Sequence, residues 1–166
     1  MEQYILIGPP GAGKSSVGRL LAAQLNKPFV DTDKEIESKS GKKIADIFLE
    51  DGEASFRSLE RQIVLETLQN CLGVIALGGG SILDSDVAEV LARKRNVIYL
   101  EVSISNAAPR VGFNRERPLL LGNPRQQWLT MMNTRREIYE RLGRIRISTD
   151  NKKPKAVAAE IVGALK

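Results

Sequence analysis

Short apolar runs alternate with amphipathic stretches along the whole chain, which is the pattern of an α/β fold. The apolar runs predict strands near residues 3–7, 28–31, 74–77, 97–102 and 144–147. Helical spacing of apolar residues predicts helices near residues 14–25, 33–50, 53–70, 84–93, 124–142 and 154–165. Such alternation indicates a parallel sheet with helices on both faces. Ligands of these sheets bind beyond the carboxyl ends of the strands, so the residues that follow strands are the first candidates for function.

The segment between the first strand and the first helix carries a phosphate-binding motif. Residues 8–15 read GPPGAGKS and match the pattern GxxxxGK[ST]. Glycines let such a loop wrap tightly with its N–H groups inward, and the following helix adds the positive end of its dipole. We expect Lys14 to reach the β- and γ-phosphates of a nucleotide, and the Ser15 hydroxyl to bind Mg²⁺.

Two aspartates follow the second strand. Asp31 and Asp33 flank Thr32, which forms a capping-box pattern with Glu35 and so predicts a helix start here. Capping alone does not require two carboxylates at the mouth of the sheet. We therefore expect one of them to help hold Mg²⁺ and the other to accept the proton of an attacking hydroxyl.

Two more candidate features are an arginine in the predicted helix 53–70 and a run of glycines after the third strand. Arg57 lies beside the apolar stripe of its helix, and Glu60 is close enough along the helix to orient it, although a surface ion pair would give the same spacing. The third strand is followed by three glycines at 78–80. A triple glycine after a buried strand favours close approach of a ligand or another backbone, with a flexible hinge as the alternative.

The chain changes character after the fourth strand. Residues 106–124 contain several arginines and show little periodicity before Gln126. The segment is longer than a connector needs to be, which predicts a lid whose Arg117 closes over the transferring phosphoryl group and keeps water out. A basic disordered loop is the alternative interpretation.

The helix after this segment carries one arginine in an apolar stripe. Trp128, Met132, Arg135, Tyr139 and Leu142 share one face by their spacing. A buried arginine needs a partner. The stripe leaves three alternatives for Arg135: an internal carboxylate, extension of the guanidinium to water, or the carboxylate of a substrate.

Composition narrows the class of protein further. The chain has 166 residues, of which 42% are apolar and 27% charged, and we expect one domain. No apolar run approaches the roughly 18 residues of a membrane span, and the first strand leaves no room for a signal peptide. A single cysteine, Cys71, and no histidine argue against zinc and favour a cytoplasmic protein. The net charge of +5 is scattered and aromatic residues make up only 5%, so we expect anionic small molecules rather than nucleic acid.

Taken together and in this order, the motifs resemble those of shikimate kinases over essentially the whole chain. They are the loop at 8–15, D-x-D at Asp31 and Asp33, GExxFRxxE at 52–60, GGG at 78–80, RPLL at 117–120, and the arginine four residues before Tyr139. The resemblance implies a single domain over residues 1–166 with a three-layer P-loop fold, similar to nucleoside monophosphate kinases. It further implies a five-stranded parallel sheet in the order 2-3-1-4-5, a mobile lid near 109–124 and a substrate-binding subregion near 32–62.

The resemblance also implies the reaction and the residue roles. Shikimate kinases transfer the γ-phosphate of ATP, with Mg²⁺, to the 3-hydroxyl of shikimate in aromatic amino-acid biosynthesis. The implied catalytic residues are Lys14, Asp33 and Arg117. The implied nucleotide contacts are Gly11, Ala12, Gly13, Lys14, Ser15, Ser16, Arg110, Arg117, Lys152 and Pro154. The implied shikimate contacts are Asp33, Arg57, Gly78, Gly79, Gly80 and Arg135, and the implied magnesium ligands are Ser15 and Asp31.

Three other functions fit parts of the pattern. A gluconate kinase on the same fold would also use Arg57 and Arg135 for a sugar acid, but the triple glycine and the block around Arg57 favour shikimate. A nucleotide-binding regulator without turnover would not need a base at Asp33. A GTPase ranks last, because the chain lacks the N-K-x-D guanine signature. We expect a monomer that binds neither membrane nor nucleic acid.

Overall fold

Five parallel strands form one sheet in the order β2-β3-β1-β4-β5, as predicted. This computed structural model describes residues 2–111 and 123–166, so Arg117 and the RPLL segment lie outside the described residues. The strands are β1 Gln3–Ile7, β2 Phe29–Asp31, β3 Gly73–Ala76, β4 Val97–Glu101 and β5 Ile145–Ser148. Their bounds agree with the predicted strands to within a residue or two.

Helices connect successive strands. They are α1 Lys14–Leu25, α2 Thr32–Ser40, α3 Ile44–Asp51, α4 Glu53–Asn70, α5 Ser85–Ala92, α6 Ile104–Val111, α7 Pro124–Leu142 and α8 Pro154–Ala164, with a short 3-10 turn at Ser81–Leu83. In residues 2–111 and 123–166, no helix is both long enough and apolar enough to cross a membrane.

The central strands are buried on both faces, which explains their continuous apolar sequences. Ile5 and Leu6 of β1, Ile75 of β3 and Ile98 of β4 have no exposed surface. A second, smaller cluster joins α2, α3 and α4 beside this core. Because β1 is the middle strand, the loop that follows it lies at the centre of the carboxyl edge.

The prediction of one helix over residues 33–50 was wrong, because this segment forms two helices, α2 and α3. Helix α2 ends at Gly41, which adopts a left-handed φ of 71°. That conformation is cheap only for glycine and ends the helix with an αL cap. The chain then turns, so that Ile47 of α3 packs with Ile36 of α2 and Ile63 of α4 in the smaller cluster.

Helix α6 was not predicted. Residues 104–111 are helical although Pro109 lies inside them, and Ala107 is fully buried. An internal proline removes one backbone hydrogen bond, but packing can outweigh that loss in a helix of two turns. The predicted lid at 109–124 therefore begins within α6 and ends at Pro124, the first residue of α7, while residues 112–122 lie outside the described residues.

Candidate active site

The phosphate-binding loop joins β1 to the first residue of α1. Gly11 and Gly13 adopt left-handed φ angles of 87° and 89°. A residue with a side chain would be strained in this conformation. The Lys14 side chain is folded over the loop, where its Nζ donates to the carbonyl oxygens of Gly8 at 2.7 Å and Pro9 at 3.1 Å. Only 9% of Lys14 is exposed. The loop thus has the wrapped backbone and the cation that a phosphate site requires.

The predicted nucleotide contacts that the structure describes all line one cavity of about 380 Å³. They are Gly11, Ala12, Gly13, Lys14, Ser15, Ser16, Arg110, Lys152 and Pro154. Asp31 and Asp33 line the same cavity. One open volume at the carboxyl edge therefore joins the phosphate loop, the acidic pair and the residues after β5.

Arg110 fixes the far side of this cavity. Its guanidinium donates to Thr149 Oγ1 at 2.8 Å, to the Thr149 carbonyl at 2.7 Å and to the Gly11 carbonyl at 3.2 Å. Lys152, on the same side, pairs with Glu160 at 3.0 Å. Thr149 was missed by the sequence analysis, although its place directly after β5 was the available signal.

Asp31, rather than Thr32, caps helix α2. One oxygen of the Asp31 carboxylate accepts from the backbone N–H groups of Asp33 at 3.0 Å and Lys34 at 3.4 Å. The other oxygen accepts from the Ser15 hydroxyl at 2.5 Å. The predicted capping box was therefore wrong, because Asp31 holds the extended cap position and Thr32 is already inside the helix.

Thr32 instead joins α2 to the glycine turn. It has no exposed surface; its hydroxyl donates to the Ala76 carbonyl at 3.3 Å and accepts from the Gly78 N–H at 3.2 Å. These bonds fix the end of β3 against the first turn of α2. The Asp33 carboxylate is consequently held beside the glycines.

The pair Ser15 and Asp31 fits a magnesium ion. Hydroxyl and carboxylate oxygens are hard ligands, and Mg²⁺ commonly takes only one or two protein oxygens while phosphates and waters complete its shell. Within residues 2–111 and 123–166, no group of three or more acidic, cysteine or histidine side chains could hold a metal by itself. The site thus fits an ion that arrives with a nucleotide.

The glycine turn lies beneath two carboxylates and a guanidinium. A methyl group placed on Gly78 would come within 2.6 Å of Asp33 Oδ1 and 3.0 Å of Glu60 Oε2. A methyl group on Gly80 would overlap the guanidinium of Arg57. The glycines at 78 and 80 therefore leave room for these side chains, and the predicted approach of a ligand or another backbone stays a prediction.

Arg57 is oriented by a buried carboxylate. Its Nη1 lies 2.8 Å from Glu60 Oε1, and only 5% of the Glu60 side chain is exposed. Burial raises the pKa of Glu60, an effect that the positive charge of Arg57 opposes and the charge of Asp33 reinforces. The surface-pair alternative is thus excluded. The sequence analysis predicted that Glu60 orients Arg57, but it did not include Glu60 among the site residues. The structure places its carboxylate beside both Arg57 and Asp33.

Arg135 comes to the same turn from α7. Only 6% of it is exposed, and a methyl group on Gly79 would lie 3.5 Å from its Nη1. No ion pair of Arg135 is found in the part of the chain that the structure describes. Burial argues against extension to water, and no described carboxylate pairs with Arg135. The third predicted alternative, the carboxylate of a bound molecule, stays a prediction.

Two aromatic anchors were recognised in the sequence only as part of an apolar stripe. The Trp128 indole N–H donates to the Pro10 carbonyl at 2.9 Å, and the Tyr139 hydroxyl donates to the Gly79 carbonyl at 2.6 Å. Both side chains are buried. Periodicity placed them on the correct face, but it carries no information about which polar atom each would reach.

The arrangement combines a phosphate site with an anion site. A carboxylate, Asp33, lies between the loop that suits phosphates and a turn approached by two arginines from different helices. Such a site can bind a nucleotide and a second, anionic molecule side by side, and the carboxylate can accept a proton from a hydroxyl between them.

Comparison with known proteins agrees with this chemistry. The family model described as shikimate kinase matches residues 10–166. A shikimate kinase of Thermobifida fusca is 49% identical over 158 residues, covering 95% of this chain and 91% of the relative. A shikimate kinase of Rhodococcus jostii is 44% identical over 162 residues, covering 97% of this chain and 96% of the relative.

Solved structures resemble this chain to different degrees. A shikimate kinase from Acinetobacter baumannii in complex with shikimate has a TM-score of 0.96 and 33% identity, covering 99% of this chain and 93% of that one. A gluconokinase from Sinorhizobium meliloti has a TM-score of 0.59 and 17% identity. The match covers 99% of this chain and 91% of the gluconokinase, and at this identity it shows a shared fold alone. The chain belongs to the shikimate kinase family, the ATP-dependent kinases that phosphorylate a hydroxyl group of shikimate.

Proposed function

We propose that this chain transfers the γ-phosphate of ATP to the 3-hydroxyl of shikimate through the residues gathered at the glycine turn. The observation that carries the proposal is the convergence of Asp33, Arg57 and Arg135 on Gly78–Gly80, beside the phosphate loop. The presence of shikimate in the related Acinetobacter baumannii structure supports the same acceptor.

The nucleotide occupies the cavity beside the phosphate-binding loop, with its phosphates on the loop. The Lys14 ammonium, which is held by the Gly8 and Pro9 carbonyls, exchanges these partners for the β- and γ-phosphates. The adenine lies toward Arg110, Lys152 and Pro154, which line the same cavity as the phosphate loop. Exchange of neutral carbonyl oxygens for phosphate oxygens favours binding, because the negative charge of the phosphates attracts the ammonium.

Ser15 and Asp31 would hold magnesium, Asp31 through a water molecule. When bound, it neutralises charge on the phosphates and fixes their orientation. Asp31 retains its capping bonds to the backbone of α2 in this role, because its two oxygens serve different partners. The Asp31 carboxylate thereby connects the metal site to the helix that carries Asp33.

The acceptor is held by its carboxylate and activated at a hydroxyl. Arg57 and Arg135 clamp the carboxylate, since a guanidinium matches a carboxylate as a bidentate pair. Asp33 accepts the proton of the attacking hydroxyl, which lies between the clamp and the phosphate loop. Gly79 and Gly80 leave the substrate room to approach the backbone N–H groups. Arg117 neutralises the transferring phosphoryl group, a prediction outside the described residues.

An acceptor comparison tests the proposed reaction. ADP release from MgATP is measured with shikimate, with gluconate and with no acceptor. Strong stimulation by shikimate alone is expected, and phosphate on the 3-hydroxyl of the product is expected by NMR. Equal stimulation by gluconate would favour the gluconate kinase alternative, and ATP binding without stimulation by either acceptor would favour a nucleotide-binding regulator.

A monomeric state, a cytoplasmic location and the lack of a nucleic-acid or membrane partner stay predictions. The location was inferred from the single cysteine, and the other two from the scattered charge and the small-molecule site. Size-exclusion chromatography with light scattering tests the first of them, and a mass of about one chain is expected, on the order of 18 kDa.

A further inference from the structure

Helix α7 contacts both loops of the site through one face. Trp128, Arg135 and Tyr139 lie on that face, and all three are buried. The Trp128 indole N–H donates to the Pro10 carbonyl of the phosphate loop at 2.9 Å. The Tyr139 hydroxyl donates to the Gly79 carbonyl of the glycine turn at 2.6 Å. One rigid element therefore touches the loop proposed for the nucleotide and the turn proposed for the acceptor.

The hydrogen bond to the Pro10 carbonyl also fixes the orientation of the N–H group of Gly11. A trans peptide unit is planar, so its C=O and the N–H of the next residue point in opposite directions. Pro10 and Gly11 share such a unit, and neither Pro9 nor Pro10 has an N–H to offer. The Gly11 N–H is thus the first donor available after the two prolines, and holding the Pro10 carbonyl toward α7 directs this N–H away from α7.

Gly11 is held from its other side as well. It lines the nucleotide cavity with a φ of 87°, and a methyl group on it would lie 2.9 Å from the Ala107 carbonyl of α6. Its own carbonyl accepts from Arg110 at 3.2 Å. These contacts restrict where Gly11 lies, whereas the Trp128 hydrogen bond acts on the peptide unit that contains the Gly11 N–H.

We propose that Trp128 is a positioning residue for phosphoryl transfer, whose indole N–H holds the Pro10–Gly11 peptide so that the Gly11 N–H faces the phosphates of the bound nucleotide. The inference rests on the proposed assignment of the loop as the nucleotide phosphate site. It adds a residue on α7, outside the loop sequence itself, to the determinants of phosphate binding. A tryptophan is suited to this role because its indole is a donor only, so the bond has one direction.

The test removes the donor and keeps the aromatic ring. In Trp128→Phe, affinity for ADP is expected to fall about tenfold, the scale of one charge-assisted hydrogen bond. Affinities for AMP and for shikimate are expected to stay within about twofold, because neither depends on phosphates beyond the first. Titration calorimetry measures all three ligands. Met132→Leu is the matched control, since Met132 is buried on the same helix face and has no donor to lose.

The outcomes separate this inference from the proposed function. If the wild-type protein binds ADP no better than AMP, the phosphate-loop assignment is wrong and the inference is overturned with it. If wild type prefers ADP and Trp128→Phe keeps the same ratio, only the inference is overturned. An equal loss for ADP, AMP and shikimate would also overturn it, because a purely structural role weakens every ligand alike.

A second measurement needs no variant. Trp128 is the single tryptophan of the chain, so its indole N–H gives one unambiguous NMR resonance. Phosphate bound to the Gly11 N–H polarises the shared peptide unit and changes the hydrogen bond at the Pro10 carbonyl. The resonance is therefore expected to shift with ADP and much less with AMP. An unchanged resonance at saturating ADP would overturn the inference even if Trp128→Phe could not be purified.

Discussion

The position of Asp33 is fixed in part by hydrogen bonds that involve its neighbours in the chain. Asp31 caps α2 through the Asp33 N–H, and Thr32 ties the same turn to the end of β3. The carboxylate then lies over Gly78, which has no side chain of its own to occupy that space. A base held in this way loses little entropy when a hydroxyl arrives, because its surroundings are already ordered.

Replacement of Asp33 tests its role as the base. In Asp33→Asn, kcat is expected to fall at least about a hundredfold, the scale of lost general-base catalysis, while ATP affinity stays nearly unchanged. Steady-state kinetics and nucleotide titration measure the two effects. Asp46→Asn is the control, because Asp46 is an exposed aspartate of α3. Near-normal turnover of Asp33→Asn would mean that another group accepts the proton.

Glu60 predicts a pH dependence of acceptor binding. Burial holds its pKa above the ordinary value of 4.5. When the pH falls through this raised pKa, Glu60 takes up a proton and releases Arg57, so the KM for shikimate is expected to rise on the acid side. In Glu60→Gln, the KM should be high at neutral pH and lack this acid rise, as pH-dependent kinetics can measure. An identical acid profile in both proteins would remove Glu60 from the acceptor site.

The same carboxyl has the opposite effect on stability. A raised folded-state pKa means that the native protein binds the proton more tightly than the unfolded chain does. The contribution of Glu60 to the free energy of unfolding is therefore greatest below pH 4.5 and is lost as the pH rises through the raised pKa. The charged form that orients Arg57 is thus kept at a cost to stability.

At the scale of elements, helices and strands with a long apolar face were easier to predict than breaks that depend on a single residue. The strands and the helices α1, α4, α7 and α8 followed from apolar spacing over many residues. The break at Gly41 and the two-turn helix around Pro109 did not, because each depends on how a short segment packs against the rest of the molecule. Likewise, sequence could not decide whether Asp31 or Thr32 caps α2, since both side chains are good caps.

The glycine turn offers a test at this scale. The three atoms nearest to a methyl group at Gly80 all belong to the guanidinium of Arg57, and Gly80 has an ordinary φ of −91°. Gly80→Ala is therefore expected to change the free energy of unfolding by no more than about 1 kcal/mol. Its KM for shikimate should rise about tenfold, as for a loss of about 1.4 kcal/mol, because the guanidinium is displaced.

Gly163→Ala is the matched control for this variant. Gly163 lies in α8 with nothing within 4 Å of an added methyl group. It should leave the KM unchanged and stabilise the helix by about 0.5–1 kcal/mol. Chemical denaturation and steady-state kinetics measure both quantities. A Gly80→Ala protein with unchanged KM would show that Arg57 can move without affecting the acceptor.

At the scale of the whole molecule, parallel topology assembles the site. The phosphate loop follows β1, the acidic pair follows β2 and the glycines follow β3, so all three meet at one edge. This part was predictable from the alternation of strands and helices, which indicates a parallel sheet. The meeting of Arg57 and Arg135 was not, because it depends on how two helices distant in sequence pack around the turn. Only the resemblance to a family paired them before the structure did.

The measurement that tests this meeting most directly is shikimate binding to Arg135→Lys. Titration calorimetry should give a Kd about tenfold higher than that of wild type, because a lysine cannot form the bidentate pair with the acceptor carboxylate. Arg136→Lys, the exposed neighbour on α7, should bind shikimate as wild type does. With the methyl ester of shikimate, which lacks the charge, wild type and Arg135→Lys should bind equally. An unchanged Kd for shikimate in Arg135→Lys would place the carboxylate elsewhere and contradict the proposed site.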